Sequence, residues 1–228
     1  MWFGRAVLAS PGGDSRGESA VTIQRPGKII GVGRNYVEHA AELGNSVPKQ
    51  PLIFLKPPSS VIGPGDRIVL PPQSAQVEYE GEIGVVIGKT LHRASEADAF
   101  AAFAGITCVN DVTARDLQRS DEQWTRAKGF DTFCPLGPRI VPVELDRLPE
   151  LEVICRVNGT QRQHGRAREM VFGPVALVAY ISQVMTLEPG DLIATGTPAG
   201  VGKLIPGDTV EVEIPGVGVL RNPVVASS

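Results

Sequence analysis

Glu80 and Glu82 stand one residue apart at the head of an apolar run, Ile83-Gly84-Val85-Val86-Ile87-Gly88. On an extended strand they project from one face, roughly 6–7 Å apart at the backbone. Two carboxylates beside hydrophobic sequence repel each other and are costly to desolvate, and a shared divalent cation would relieve both problems. Oxygen-only ligands call for a hard ion such as Mg²⁺, Mn²⁺ or Ca²⁺ rather than zinc. The plainer reading is that Glu78, Glu80 and Glu82 line the wet face of an edge strand. His39 and Glu42 lie three apart on a short helical segment and share a face. A carboxylate there fixes the imidazole tautomer and raises its basicity, as a general base requires, whereas a surface histidine beside a helix acid would show the same spacing. In Asn110-Asp111-Val112-Thr113-Ala114-Arg115-Asp116-Leu117-Gln118, Asp111 could close a metal site and Arg115 could clamp a substrate carboxylate. A capped helix start is the alternative there. Lys128 precedes Gly129-Phe130-Asp131-Thr132, and Thr195-Gly196-Thr197-Pro198 offers hydroxyls and amides in a tight turn.

These residues need strands and short helices to hold them. Residues 1 to 26 read as a short N-terminal arm with a strand-like Arg5 to Leu8, and 27–228 as a single domain. Strands are predicted over Lys28 to Gly33, Pro51 to Pro58, Ile106 to Asn110 and Leu151 to Val157, the last turning at Asn158-Gly159. Between Val61 and Leu70 a Gly-Pro-Gly-Asp turn joins two short β segments. Helices are predicted over Val37 to Leu43, ended by Gly44, over Ser95 to Phe103 with Ser95 as cap, and after Thr113. The longest runs from Phe172 to Met185. The C-terminal stretch from Asp191 is β in character.

Nineteen prolines and 26 glycines in 228 residues exceed what a helical bundle tolerates and favour a β-rich fold with many turns. A net charge of −3 gives no reason to expect nucleic acid or anionic membrane as a partner. No apolar run approaches the ~18 residues of a membrane span. Three widely spaced cysteines, Cys108, Cys134 and Cys155, fit buried reduced thiols in a cytoplasmic protein rather than a disulfide framework.

Taken in order, the motifs resemble the fumarylacetoacetate hydrolase family. They are Gly31-Val32-Gly33-Arg34-Asn35-Tyr36 with His39 and Glu42, Phe54-Leu55-Lys56-Pro57, Glu78-Tyr79-Glu80-Gly81-Glu82 with Gly84 to Gly88, and Asn110 to Asp116. Lys128 with Phe130 to Pro135, and Gly190-Asp191 through Thr195-Gly196-Thr197-Pro198 to Gly202, complete the series. The resemblance implies a mixed, β-rich α+β fold, a roll with flanking helices, as a homodimer. It implies Glu80, Glu82 and Asp111 as ligands of Mg²⁺ or Mn²⁺, with Glu78 outside the ligand set. It also implies His39 and Glu42 as a catalytic dyad on a segment that orders over substrate, and Lys128 as the active-site lysine. Arg115, Gln118, Thr132 and Thr197 match substrate-contacting positions. The chain is shorter than the larger eukaryotic hydrolase and is similar to the smaller acylpyruvase, oxaloacetate decarboxylase and hydroxyheptadienedioate isomerase members.

The expected reaction is cleavage of a carbon–carbon bond in a 2-oxo acid such as an acylpyruvate, through a metal-bound enolate. In it His39 activates water and Lys128 stabilises an oxyanion. Decarboxylation or isomerisation of a 2-oxo or hydroxydienoate diacid would use the same enolate. A non-catalytic binding protein on the same fold is the reading from another class.

Overall fold

The computed structural model describes residues 25–42, 44 and 46–227. Nearly all of the expected N-terminal arm, with its strand-like Arg5 to Leu8, lies outside the described residues, as does Leu43 at the end of the first predicted helix. In chain order the strands are β1 (Ile29–Gly33), β2 (Leu52–Lys56), β3 (Val61–Ile62), β4 (Ile68–Leu70), β5 (Val77–Tyr79), β6 (Gly81–Ile87), β7 (Phe103–Asn110) and β8 (Thr113–Ala114). They continue with β9 (Cys134–Val141), β10 (Glu152–Val157), β11 (Thr160–Arg166), β12 (Leu192–Ala194), β13 (Gly202–Lys203), β14 (Thr209–Ile214) and β15 (Gly218–Ala226). The α-helices are α1 (Val37–Glu42), α2 (Glu96–Ala101), α3 (Arg115–Ser120), α4 (Thr125–Lys128) and α5 (Pro174–Val184).

A mixed seven-stranded sheet in the order β2-β1-β12-β6-β7-β9-β3 curls over a five-stranded sheet, β11-β10-β14-β15-β4, with a small sheet β13-β5-β8 at their junction. Residues 81–87 are buried along their whole length, and the strand accordingly carries an almost continuous apolar sequence. The large sheet packs on the five-stranded one through Ile83, Cys108, Val153 and Val212. It packs on α5 through Ile30, Val85, Leu177 and Ile181. This is the strand-rich α+β architecture expected from the sequence.

Several local expectations hold. The Ser95 side chain caps α2 by accepting from the Asp98 amide, and Asn158 and Gly159 take the paired positive φ angles, 53° and 76°, of a tight hairpin. Others shift. Helix α2 ends at Ala101 because Phe103 already belongs to β7. The Gly-Pro-Gly-Asp turn joins β3 and β4, but these do not pair with each other; β3 runs parallel to β9 and β4 parallel to β15. The extended run through Glu78 to Glu82 divides at Glu80, where the chain passes from the small sheet to the large one. None of its three glutamates lies on a wet face, since Glu78, Glu80 and Glu82 are all buried.

Candidate active site

Register brings the acids together. Antiparallel pairing of β6 with β7 sets Gly81 against Asn110 and Glu82 against Val109. Just past that ladder the Asp111 amide donates to the Glu80 carbonyl at 2.8 Å, and the Glu80 amide donates to Asn110 Oδ1 at 3.0 Å. Asp111 is thereby fixed beside the two glutamates. One carboxylate oxygen from each of Glu80, Glu82 and Asp111 lies within 4.8 Å of the others, and all three residues are buried.

The surrounding charges are disposed unevenly. Lys128 Nζ donates to Glu80 Oε2 at 2.8 Å and to Asp111 Oδ2 at 2.6 Å. Lys56 Nζ donates to Asp111 Oδ1 at 2.6 Å. Arg115 spans Glu78 Oε2, at 2.7 Å from its Nε, and Glu80 Oε1, and it also donates to Gln118 Oε1. Among the described residues Glu82 receives a single amide, from Gly196 at 2.8 Å. Burial alone would push the Glu80 carboxyl up, but Lys128 and Arg115 outweigh it and hold Glu80 below the usual carboxylate range. For Glu82, burial acts together with the neighbouring Asp111 and Glu80 charges, and its carboxyl is pushed well above that range. Among the described residues four buried carboxylates face three buried cations, so one carboxylate is left without an ion-pair partner.

That is what a cation site requires. The donors are hard oxygens, converge on one point, and include a carboxylate whose ionised form lacks a counter-charge, so the residues present fit a divalent ion of the Mg²⁺ or Mn²⁺ kind.

A cavity of about 280 Å³ opens onto this cluster, and His39, Glu80, Glu82, Arg115, Gln118 and Lys128 all contribute to its wall. His39 is buried rather than a surface residue, and its Nδ1 lies 3.2 Å from Glu42 Oε2. Glu42 is tied in turn by the Gly200 amide, at 3.0 Å from Oε1. Thr197 also lines the cavity, but its hydroxyl is engaged, donating to the Gly81 carbonyl at 2.9 Å and accepting from Gln163 Nε2 at 2.7 Å. Thr132 stands apart. Its hydroxyl accepts from the Val69 amide at 2.9 Å, so it braces β4, and it is absent from the cavity wall. Glu78 holds Arg115 and accepts from Gln76, outside the acid cluster.

Sequence reasoning does not single out four contributors. Lys56 stands within a motif, but nothing local shows that its ammonium is buried against Asp111. Arg34, Arg119 and Trp124 also line the cavity, and none has a sequence signal that assigns it a role there.

The fumarylacetoacetate (FAA) hydrolase C-terminal family matches residues 28–225. The human mitochondrial oxaloacetate tautomerase FAHD2A is 47% identical over 213 residues, covering 89% of this chain and 68% of the relative. Among solved structures, 5-carboxymethyl-2-hydroxymuconate delta-isomerase from Mycobacterium smegmatis superposes with a TM-score of 0.82 at 47% identity, over 90% of this chain and 80% of that one. A 2-hydroxyhepta-2,4-diene-1,7-dioate isomerase from Mycobacterium marinum matches with the same TM-score, 0.82, at 47% identity, over 90% and 76%. The match spans nearly all of the described fold and every residue of the cavity wall, and the chain belongs to the fumarylacetoacetate hydrolase family of enzymes.

Proposed function

We propose that this enzyme binds a small 2-oxo acid at a divalent ion, Mg²⁺ or Mn²⁺, held by Glu80, Glu82 and Asp111, and interconverts its keto and enol forms. One observation carries the reading: Glu80 and Glu82 of the buried three-carboxylate cluster and His39, paired with Glu42, line a single cavity. When bound, the ion supplies Lewis acidity and a fixed orientation for the substrate's oxygens.

The chain's own groups account for the proton. Glu42 can only accept a hydrogen bond, so His39 Nδ1 carries the hydrogen between them and Nε2 is left as the basic atom. Nε2 takes a proton from the carbon beside the oxo group and returns it to oxygen, or to a more distant carbon if the substrate is conjugated. The Glu42 charge, anchored by Gly200, stabilises the imidazolium between the two transfers. Arg115, Gln118 and Lys128 orient the substrate carboxylate and offset its charge. Relatives named as a tautomerase and as isomerases support this outcome.

The hydrolase name of the family, together with the Lys128 ammonium on the same cavity, supports a second reading, the carbon–carbon cleavage expected from the sequence. There Nε2 would take its proton from water, the water oxygen would attack a distal carbonyl, and Lys128 would balance the oxyanion. Incubation with Mg²⁺ and either oxaloacetate, acetylpyruvate or 2-hydroxyhepta-2,4-dienedioate, followed by NMR in D₂O, separates the two. Accelerated keto–enol exchange with deuterium uptake and no fragments is expected. Release of acetate from acetylpyruvate would replace the first reading by the second, and inertness toward all three would sink both.

The homodimer expected from the resemblance is also our proposal, tested by light scattering of the purified protein. The three cysteines are free and buried, which supports a reducing, cytoplasmic setting. No helix among the described residues is long and apolar enough to cross a membrane.

A further inference from the structure

Most of the cavity's cations are already committed. Arg115 is held by Glu78 and Glu80, and Lys128 by Glu80 and Asp111. Two guanidinium groups on the same cavity are not. Arg34 has no carboxylate partner among the described residues, and its guanidinium carbon sits 6.0 Å from the centre of the Trp124 ring. Among the described residues Arg119 reaches only the Gln76 side-chain oxygen, at a long 3.5 Å.

Arg34 is also held in place at a cost. Its φ of 58° is the left-handed conformation that L residues other than asparagine and aspartate rarely adopt. The flanking residues impose it. Asn35 is clamped by three hydrogen bonds, donating to the Phe172 and Thr195 carbonyls at 3.0 and 2.8 Å and accepting from the Phe172 amide at 2.9 Å. Gly33, on the other side, lies so close under Trp124 that an added Cβ would come within 2.6 Å of the ring. Trp124 meets Phe54 edge-on with centroids 5.4 Å apart, and Phe54 carries Lys128 Nζ 4.9 Å from its own centroid. Phe54, behind the cavity lining, and Trp124, within it, thus link Lys128 at the carboxylate cluster to Arg34.

We infer that Arg34, assisted by Arg119, is the specificity residue that receives a second carboxylate at the far end of the substrate, so that the site selects 2-oxo diacids over 2-oxo acids with a neutral tail. This rests on the 2-oxo acid reading of the site. A 2-oxo acid engages the cluster through its first carboxylate and oxo oxygen. Its tail then extends into the part of the cavity lined by Trp124, where Arg34 and Arg119 are the cations without a carboxylate partner among the described residues. A half-buried guanidinium gains most from an ionised acceptor, and its planar fork suits a carboxylate.

The test compares oxaloacetate with 2-oxosuccinamate, which has the same shape but a neutral amide in place of the distal carboxylate, using Mg²⁺-loaded enzyme. Keto–enol exchange gives kcat/KM, and competition against oxalate gives affinity. The wild type is expected to prefer the diacid by roughly 10- to 100-fold, mostly in KM, as one charge-assisted pair implies. Arg34→Gly removes the side chain while easing the backbone φ, so it is expected to unfold no earlier than the wild type. In it the preference falls to within about threefold, and Arg34→Lys restores part of it. A wild type that treats the two compounds alike, or a preference retained in Arg34→Gly combined with Arg119→Gln, overturns the inference and leaves the 2-oxo acid reading intact. If neither compound is turned over or competes with oxalate, both fall together.

Discussion

Glu82 is the one carboxylate of the cluster without an ion-pair partner among the described residues. Burial, with Asp111 and Glu80 adding to it, pushes its carboxyl well above the ordinary range, so in the metal-free protein it keeps its proton into less acidic solution. A metal ligand must give that proton up. Metal affinity should therefore rise with pH through Glu82's raised value and level off above it. Calorimetry in buffers of different ionisation enthalpy should show close to one proton released per ion bound at pH values below that point; no proton release there would mean that Glu82 is not a ligand. His39 acts on a different quantity. His39→Ala is expected to lower turnover by about 10²–10⁴ while leaving metal affinity nearly unchanged, and a loss of both together would assign the residue to the fold. Type and short spacing single out Glu80 with Glu82, and His39 with Glu42, as candidates, whereas the grouping of Asp111 with the two glutamates comes from the family resemblance. Lys56 is not singled out, because its partner Asp111 is 55 residues away and only the fold shows that the ammonium is buried. Thr132, which the resemblance implies as a substrate contact, is absent from the cavity wall, and its hydroxyl serves Val69.

At the scale of elements, the turn after β12 links the two halves of the site. Gly196 donates to Glu82 and Gly200 to Glu42, so one short connection positions a proposed metal ligand and the partner of the proposed base. Gly196 has a φ of 102°, and a Cβ there would approach the Asn35 Cβ to 2.7 Å. Gly196→Ala is expected to cost about 1–3 kcal/mol in urea unfolding and to weaken metal binding as the amide moves away from Glu82. An alanine variant with wild-type stability and metal affinity would show that the turn is not constrained in this way. The β-rich character of these stretches could be read from proline, glycine and alternation. The break at Glu80 could not, because local pattern records an extended backbone but not which sheet each half joins.

For the molecule as a whole, the packed sheets make a core that encloses all three thiols and shields them from water. Burial pushes Cys108, Cys134 and Cys155 up to about 12. Thiols that are neutral in the fold but ionise when unfolded contribute stability that is complete below about pH 8.5 and lost as pH rises above it. Alkylation at neutral pH should accordingly modify none of the three in native protein and all three in urea; rapid labelling of the native protein would contradict the packing. The pairings that define this architecture are long-range, such as β1 with β12 and β4 with β15, and no periodicity in the sequence encodes which strands become neighbours. The family-like order of motifs supplied what local physics could not. The most direct measurement is a Mn²⁺ titration of the purified protein, repeated on Glu82→Gln and Asp111→Asn. One ion per chain in the wild type, with affinity reduced at least tenfold in each variant, is the expected result. Absence of binding, or binding unchanged by both substitutions, would contradict a metal centre built from Glu80, Glu82 and Asp111.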